Sequence, residues 1–198
     1  MRPDVWITQD NFFTLEECDQ ITQIIIDHEE SVLAIESPED SNFWTPYTGL
    51  TGKYFDYNWL PLLVANGIDI QSKIYSVPEL QQYDSLWIQC WANMFRQGEG
   101  IAMHNHADDT VPEEAYYGSA DDFYSTHVFL AGNPQTGTYY KHLNKTLESV
   151  RGQIHLFDPW KEHKVVLNTY ATPRISLAMD IWYVDRKIPY ETKYRVNK

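Results

Sequence analysis

Three histidines and one arginine in the second half of the chain have the types and spacing of a metal-dependent oxidation site. His104 and His106 are two residues apart, so on an extended segment both imidazoles point to the same side. With His163 on a neighbouring strand, they would bind a metal through three nitrogens and leave positions for a co-substrate and dioxygen. Arg174 follows eleven residues after His163 and offers a bidentate clamp for a carboxylate. The pattern favours oxidation chemistry at a non-haem iron.

The arginine begins the most regular strand pattern in the sequence. Arg174, Ser176 and Asp180 fall on one face of the stretch 174–183, and apolar residues fall on the other. A guanidinium offers two parallel N–H donors to a terminal carboxylate, and a hydroxyl two residues later adds an O–H donor. An ordinary ion pair between Arg174 and a surface carboxylate is the alternative in so acidic a chain.

The stretch 86–95 also alternates with period two. One of its faces combines aromatic and amide side chains and is expected to form a pocket wall, which makes Gln89, Trp91 and Asn93 candidate substrate contacts. Short strands divided by Gly, Pro and Asn follow this stretch. They are expected at residues 124–130, 138–143, 153–157 and 164–167. Such spacing predicts a mainly β fold, a double-stranded β-helix or jelly roll, which is the all-β architecture most associated with an internal metal site.

The N-terminal part of the chain predicts helices that pack on one sheet of this β core. Thr14 and Glu17 form a capping box, and apolar residues at helical spacing predict a helix over 15–29. We expect all 198 residues to form one domain, because the length suits a single core. Its helical and loop region would cover residues 1–80, and its jelly-roll core residues 86–184.

The region between the first helix and the first long strand is less regular. A second helix is expected over 59–72, although Pro61 is tolerated only in its first turn and Gly67 weakens it. Turn residues over 48–53 suggest a short hairpin.

The charge balance argues against nucleic acid and membranes as partners. The 28 acidic and 15 basic residues give a formal net charge of −13, which would repel phosphate backbones and anionic lipid surfaces. Two cysteines provide neither a disulfide framework nor a thiolate zinc site. No signal peptide or membrane-spanning stretch is recognisable. We therefore expect a cytoplasmic protein that acts on a small molecule or a peptide.

Four motifs follow one another along the chain: Phe95-Arg96-Gln97-Gly98, His104-Asn105-His106, His163 and Arg174-Ile175-Ser176. In this order they resemble the iron- and 2-oxoglutarate-dependent oxygenases of the prolyl-hydroxylase-like group. More narrowly, the chain is similar to small 2-oxoglutarate oxygenases of marine bacteria and of phages of cyanobacteria, whose first ligand motif is also His-x-His. The resemblance implies a jelly-roll hydroxylase that uses Fe(II), 2-oxoglutarate and dioxygen. A phage-encoded enzyme would work in the host cytoplasm.

The resemblance also implies roles for individual positions. His104 and His163 would be iron ligands, and Arg174 with Ser176 would hold the distal carboxylate of 2-oxoglutarate. Phe95 stands where many relatives have a tyrosine that helps to hold the co-substrate, so that hydrogen bond would be lost here.

A second pocket strand of the relatives is matched by residues 125–130. Ser125 and His127 would point inward from it as further co-substrate contacts. The substrate would then meet the wall that contains Trp91 and the loop 108–122.

The third metal ligand is the main departure from the relatives, most of which have an aspartate or glutamate at position 106. Either His106 binds the metal and completes an all-imidazole face, or Asp108 or Asp109 supplies a carboxylate while His106 supports it from outside the coordination sphere. We favour His106, because positions 104 and 106 share a strand face whereas position 108 turns into a loop. A metal site that no longer catalyses oxidation is a third alternative.

Another jelly-roll family fits part of the pattern. Gly98, the His-x-His motif and His163 with Asn168 also resemble the two motifs of cupin metal-dependent enzymes, in which a glutamate completes the site. The glutamate that a cupin would need is displaced in this sequence. A cupin would not need Arg174 and Ser176 at their observed distance after His163. This feature distinguishes the oxygenase hypothesis from the cupin hypothesis.

A non-enzymatic alternative is a jelly-roll binding module that uses the three histidines as a structural zinc site. Structural zinc sites are normally closed by four protein ligands. A fourth ligand at Asp108 or His127 would favour this reading, and an open face would count against it.

Overall fold

The strand-forming stretches pair into two antiparallel β-sheets in the computed structural model of the chain, which describes residues 4–36, 49–54, 56–107, 122–183 and 193–198. The larger sheet has the order β1 (Trp6–Gln9), β7 (Ile154–Phe157), β4 (Phe123–Ala131), β9 (Arg174–Trp182), β2 (Ser85–Phe95) and β10 (Tyr194–Asn197). The smaller sheet has the order β3 (Ile101–His104), β8 (His163–Val165), β5 (Thr138–Tyr140) and β6 (Lys145–Leu147). Most neighbouring strands come from distant parts of the chain, and the predicted jelly roll is confirmed.

The centre of the larger sheet follows directly from the alternation of side chains in β2 and β9. These strands pair along their whole length, with Asn93 opposite Ser176 and Gln89 opposite Asp180. The apolar faces of both strands belong to the main hydrophobic core. The opposite faces carry the polar residues, and they point into the space between the two sheets, where a cavity lies.

The first helix, α1 (Leu15–Leu33), confirms the predicted helix and extends it. Its capping box is formed, because the Glu17 N–H donates to Thr14 Oγ1 at 3.1 Å and the Thr14 N–H donates to Glu17 Oε2 at 2.7 Å. The buried side of the helix shares one core with the outer face of the larger sheet. No helix in the described part of the chain combines the length and apolarity needed to cross a bilayer.

The predicted helix over 59–72 is wrong in extent, because two short helices take its place. These are α2 (Leu60–Ala65) and α3 (Ile70–Ser76). Gly67 separates them with a φ of +86°, a left-handed conformation that ends a helix. The hairpin predicted over 48–53 is instead a 3₁₀ helix at Gly49–Lys53, and position 48 lies outside the described residues.

Short edge strands account for most of the remaining differences from the sequence prediction. Three strands were not predicted: β1, β6 and β10, each of three or four residues. The strand predicted over 138–143 ends at Tyr140 and continues as a 3₁₀ helix at Lys141–Leu143. The strand predicted over 164–167 starts one residue earlier, at His163. This shift matters, because it places His163 in the sheet.

Gly152 should be among the positions least tolerant of substitution. Its φ is +73°, and an added Cβ would lie 2.0 Å from the backbone oxygen of Phe13. Gly67 has a similar conformation but open space around an added Cβ. We expect Gly67→Ala to cost about 1–2 kcal/mol of unfolding free energy for the left-handed backbone alone. Gly152→Ala should cost roughly 3 kcal/mol or more, because backbone atoms must also move apart. Urea denaturation measures both losses, and equal values would contradict the predicted overlap.

Candidate metal and co-substrate site

The pairing of β3 with β8 brings the three histidines together. His104 and His163 are direct cross-strand partners, and their ring centroids are 4.3 Å apart. The His106 ring lies 5.5 Å from the His104 ring and 5.2 Å from the His163 ring. One ligand nitrogen from each ring lies within 4.8 Å of those of the other two. Three imidazoles at this separation can close around one ion with small side-chain shifts.

Backbone carbonyls fix the orientation of two of these rings. Nδ1 of His104 lies 2.9 Å from the carbonyl oxygen of Ala102, and Nδ1 of His163 lies 2.9 Å from the carbonyl oxygen of Lys161. A carbonyl oxygen can only accept a hydrogen bond, so Nδ1 carries the hydrogen in both rings and the lone pair is on Nε2. This is the arrangement that a metal-binding histidine needs.

A carboxylate orients the third ring. Nδ1 of His106 donates to Oδ1 of Asp180 at 2.7 Å. Ser125 Oγ lies 2.9 Å from the same nitrogen and donates to the same carboxylate oxygen at 2.7 Å. The hydroxyl of Tyr54 donates to the other oxygen, Oδ2, at 2.8 Å. The lone pair of His106 is therefore also on Nε2.

The expectation that positions 104 and 106 share a strand face is wrong, because β3 ends at His104. His106 lies in a bend, where its backbone N–H donates to the carbonyl oxygen of Pro159 at 2.8 Å. The side chain nevertheless reaches the other two imidazoles. Asp108, the alternative ligand, lies outside the described residues.

Burial keeps His104 and His163 in the neutral form that a metal requires. Burial, and then the neighbouring His106, lower the pKa of His104 to about 4. The pKa of His163 is well below its ordinary value, because the ring is buried and faces the other two histidines. At neutral pH, therefore, His104 and His163 carry no charge that would repel a cation.

Arg174 is fully buried below the histidine cluster and is held by neutral groups. Its Nε donates to the carbonyl oxygen of Thr136 at 2.8 Å, and Nη1 donates to Ser176 Oγ at 3.0 Å. Nη2 donates to Nε2 of His127 at 2.8 Å and to Thr138 Oγ1 at 3.2 Å. These contacts fix the guanidinium plane before any ligand arrives.

The guanidinium forms no ion pair with a carboxylate in the described part of the chain. The rings of Phe95 and Phe129 flank it, with centroids 6.0 Å and 5.6 Å from Cζ. Burial lowers the pKa of Arg174 to about 10, which still leaves the group charged at neutral pH. Its charge also helps burial to lower the pKa of His127 well below the ordinary value, so that His127 is a neutral acceptor.

The histidines and the groups that hold Arg174 open into one cavity of about 100 Å³ between the sheets. The smaller sheet contributes His104, His163 and Thr138, and the larger sheet contributes His127 and Ser176. Further lining residues, from β2 and the segment 51–54, are Thr51, Gly52, Tyr54, Trp91, Asn93 and Phe95. A ligand in this cavity could meet the histidine cluster together with Ser176, His127 and Thr138, three of the groups that hold Arg174.

Two of the three predicted substrate contacts face this cavity. Trp91 and Asn93 are part of its lining, and Asn93 Oδ1 accepts from the hydroxyl of Thr51 at 2.7 Å. Gln89 is buried and donates to the carbonyl oxygens of Tyr54 and Tyr57 at 2.6 Å and 3.2 Å. Gln89 therefore anchors the segment that forms the cavity wall.

The sequence analysis did not assign Asp180 and Tyr54 beside His106, or Thr136 and Thr138 beside Arg174. The strand pattern already placed Asp180 on the same face as Arg174 and Ser176, so a signal for Asp180 was present. Tyr54 lay in an irregular stretch without such a signal. Ser125, predicted as a co-substrate contact, lies against His106 and Asp180.

No protein-family model and no curated protein matches the sequence. Solved structures do match the fold. The nickel complex of the non-haem monooxygenase ThoJ has a TM-score of 0.62 at 14% identity and covers 98% of this chain and 81% of its own. The viral collagen prolyl hydroxylase of Paramecium bursaria Chlorella virus 1, in complex with 2-oxoglutarate, has a TM-score of 0.56 at 11% identity. The match covers 90% of this chain and 96% of the viral enzyme. A Pseudomonas putida prolyl-4-hydroxylase has a TM-score of 0.53 at 12% identity, and the match covers 91% of this chain and 94% of that enzyme. The chain thus has the jelly-roll fold of the 2-oxoglutarate- and iron-dependent oxygenases.

Proposed function

We propose that this chain is an Fe(II)- and 2-oxoglutarate-dependent dioxygenase that hydroxylates a peptide or a small molecule. The observation that carries the proposal is the environment of Arg174. A buried guanidinium costs free energy unless an anion accompanies it, and the described residues provide none. Its hydrogen-bond partners line the same cavity as the three histidines. A diacid that reaches from the metal to the arginine would satisfy both ends.

The hydroxyls around Arg174 suit a carboxylate ligand. Ser176 and Thr138 accept from the guanidinium, so each keeps its own hydrogen to donate. An incoming carboxylate would meet two O–H donors in addition to the cation, and such charge-assisted hydrogen bonds are roughly twice as strong as neutral ones. Phe95 and Phe129 exclude water from this contact.

His104, His106 and His163 would hold iron through Nε2. Iron bound there would couple the oxidative decarboxylation of 2-oxoglutarate to the oxidation of a substrate C–H bond. The protein residues would place the two reactants and exclude water. Trp91 and Asn93 lie on the cavity wall beside the histidines, so we assign the substrate to that wall.

Hydroxylation is the outcome we favour for that oxidation. Two of the matching structures are named prolyl hydroxylases, and a third is named a monooxygenase. Each of these names describes insertion of oxygen. Peptide and small-molecule substrates are both compatible with an aromatic and amide wall.

The structural zinc site is less well supported. Its candidate fourth ligand in the described residues, His127, turns Nε2 towards Arg174 at 2.8 Å. The cluster of ligand nitrogens that lie within 4.8 Å of one another consists of His104, His106 and His163 and does not include His127. The cupin alternative leaves the buried arginine without a function.

Replacement of Arg174 should strongly weaken co-substrate binding while metal binding persists. In an anaerobic titration with Fe(II) and 2-oxoglutarate, we expect the weak visible charge-transfer band of the chelate in the unmodified protein. Arg174→Met keeps much of the volume but removes the charge, and should weaken 2-oxoglutarate binding by about 100-fold. Saturating 2-oxoglutarate should also raise the unfolding temperature of the metal-loaded parent and leave that of the variant unchanged.

Arg96→Ala is the matched control for this experiment. Arg96 is about half exposed and pairs with Glu29 at the surface, so the band should remain. A band of equal strength in Arg174→Met, or no band in the unmodified protein at saturating iron, would contradict the proposal.

The three histidines should differ from the other buried histidines in metal binding. We expect His163→Ala to weaken Ni(II) binding by roughly 100-fold or more, because one of three ligands is lost. His155→Gln should bind Ni(II) as the parent does. His155 is also buried and contacts Thr8 at 3.0 Å, outside the cluster. Calorimetric titration with Ni(II) compares them, and equal losses in both variants would count against the assigned ligands.

A further inference from the structure

We infer that Asp180 supplies the negative charge of the metal centre through His106, without binding the metal itself. This inference rests on the proposed iron site. Three neutral imidazoles leave both charges of a divalent ion uncompensated, so a buried carboxylate one ring away would act on the ion through the ring. Asp180 is in this sense a positioning residue, since it acts through another side chain.

Three hydrogen bonds hold the buried carboxylate of Asp180 in place behind His106. The carboxylate is 1% exposed and sits on β9, in the middle of the larger sheet. It accepts hydrogen bonds from His106, Ser125 and Tyr54, at 2.7, 2.7 and 2.8 Å respectively. Side chains from three separate segments thus converge on one carboxylate, and the contact with His106 determines where the ring nitrogen points.

His106 needs this support more than the other two histidines do. His104 and His163 lie in paired strands and donate to backbone carbonyls. His106 lies beyond the end of β3. Two strand-held side chains lie at hydrogen-bond distance from its Nδ1, Asp180 at 2.7 Å and Ser125 at 2.9 Å, and Asp180 is the one that offers a carboxylate. A carboxylate that accepts from the outer nitrogen of a metal-bound histidine raises the basicity of that histidine, and loss of such partners typically weakens metal binding by 10–100-fold.

An ion pair with Lys193 is the competing role for Asp180. Nζ of Lys193 lies 3.3 Å from the ring centroid of Trp182, two residues from Asp180 on the same strand face. Burial lowers the pKa of Lys193 to about 6, and the charge of Asp180 opposes that effect. If Asp180 serves only the fold through Lys193, replacing Lys193 should change Co(II) affinity as much as replacing Asp180 does. If Asp180 serves the metal, its effect on Co(II) affinity should require His106.

The two roles can be separated by Co(II) titration at fixed pH, in competition with a chromophoric chelator. Asp180→Asn keeps the shape and one acceptor oxygen but removes the charge. We expect it to weaken Co(II) binding by about 10–100-fold and to shift the visible absorption of the bound Co(II). Lys193→Met should bind Co(II) within about threefold of the parent. Thermal unfolding without metal shows whether each variant is folded.

A second background makes the test independent of stability. His106→Asp places a carboxylate in the coordination sphere and removes the N–H group that donates a hydrogen bond to Asp180. In that background, Asp180→Asn should leave Co(II) binding unchanged or strengthen it, because it removes a second negative charge close to the first. The loss of Co(II) affinity expected with His106 in place should therefore be absent from the His106→Asp background.

The outcomes distinguish this inference from the proposed function. If the parent protein binds no Co(II), the proposed metal site and the inference fail together. If the parent and Asp180→Asn bind equally well, the inference alone fails. It also fails if Lys193→Met reproduces the loss, or if Asp180→Asn causes the same loss in the His106→Asp background.

Discussion

The burial of two opposite charges on one strand is the constraint on which the rest of the structure depends. Arg174 and Asp180 stand at the two ends of the polar face of β9, and both are almost fully buried. Six residues of extended chain separate their Cα atoms by roughly 20 Å, so the two charges cannot neutralise each other by contact. Each must be satisfied locally. The sheet makes this feasible because β9 pairs on both sides, with β2 and β4, and cannot slip without exposing its apolar face.

The two charges are satisfied in different ways. Asp180 has three side-chain donors directed at its oxygens. Arg174 has only neutral acceptors among the described residues, namely a carbonyl, two hydroxyls and an imidazole. The carboxylate end is therefore suited to support a cation at the histidines, and the guanidinium end is suited to receive an anion. A bound metal would lower the free-energy cost of burying Asp180, and a bound diacid would lower the cost of burying Arg174.

The sequence predicted those features that repeat along the chain. Alternation in 86–95 and 174–183 identified both faces of β2 and β9, and the Thr14 capping box located α1. Features that depend on contacts between distant segments were not accessible. The short strands β1, β6 and β10 have too few residues to show a period, and pairing with neighbours stabilises them. The break at Gly67 could be anticipated as a weakness, but tertiary packing determined that the helix ended there.

The same limit explains why the candidate site was predicted only in part. The histidines and Arg174 were visible because their residue types and spacing are unusual. The contact between His106 and Asp180 joins a bend to a central strand, and no local pattern reports such a contact. Tyr54 extends this link to the cavity wall, since its hydroxyl donates to Asp180 while its ring packs edge-on against Trp91, with centroids 4.4 Å apart. The wall assigned to the substrate and the carboxylate behind His106 therefore share a side chain, so the packing of one constrains the hydrogen bonds of the other.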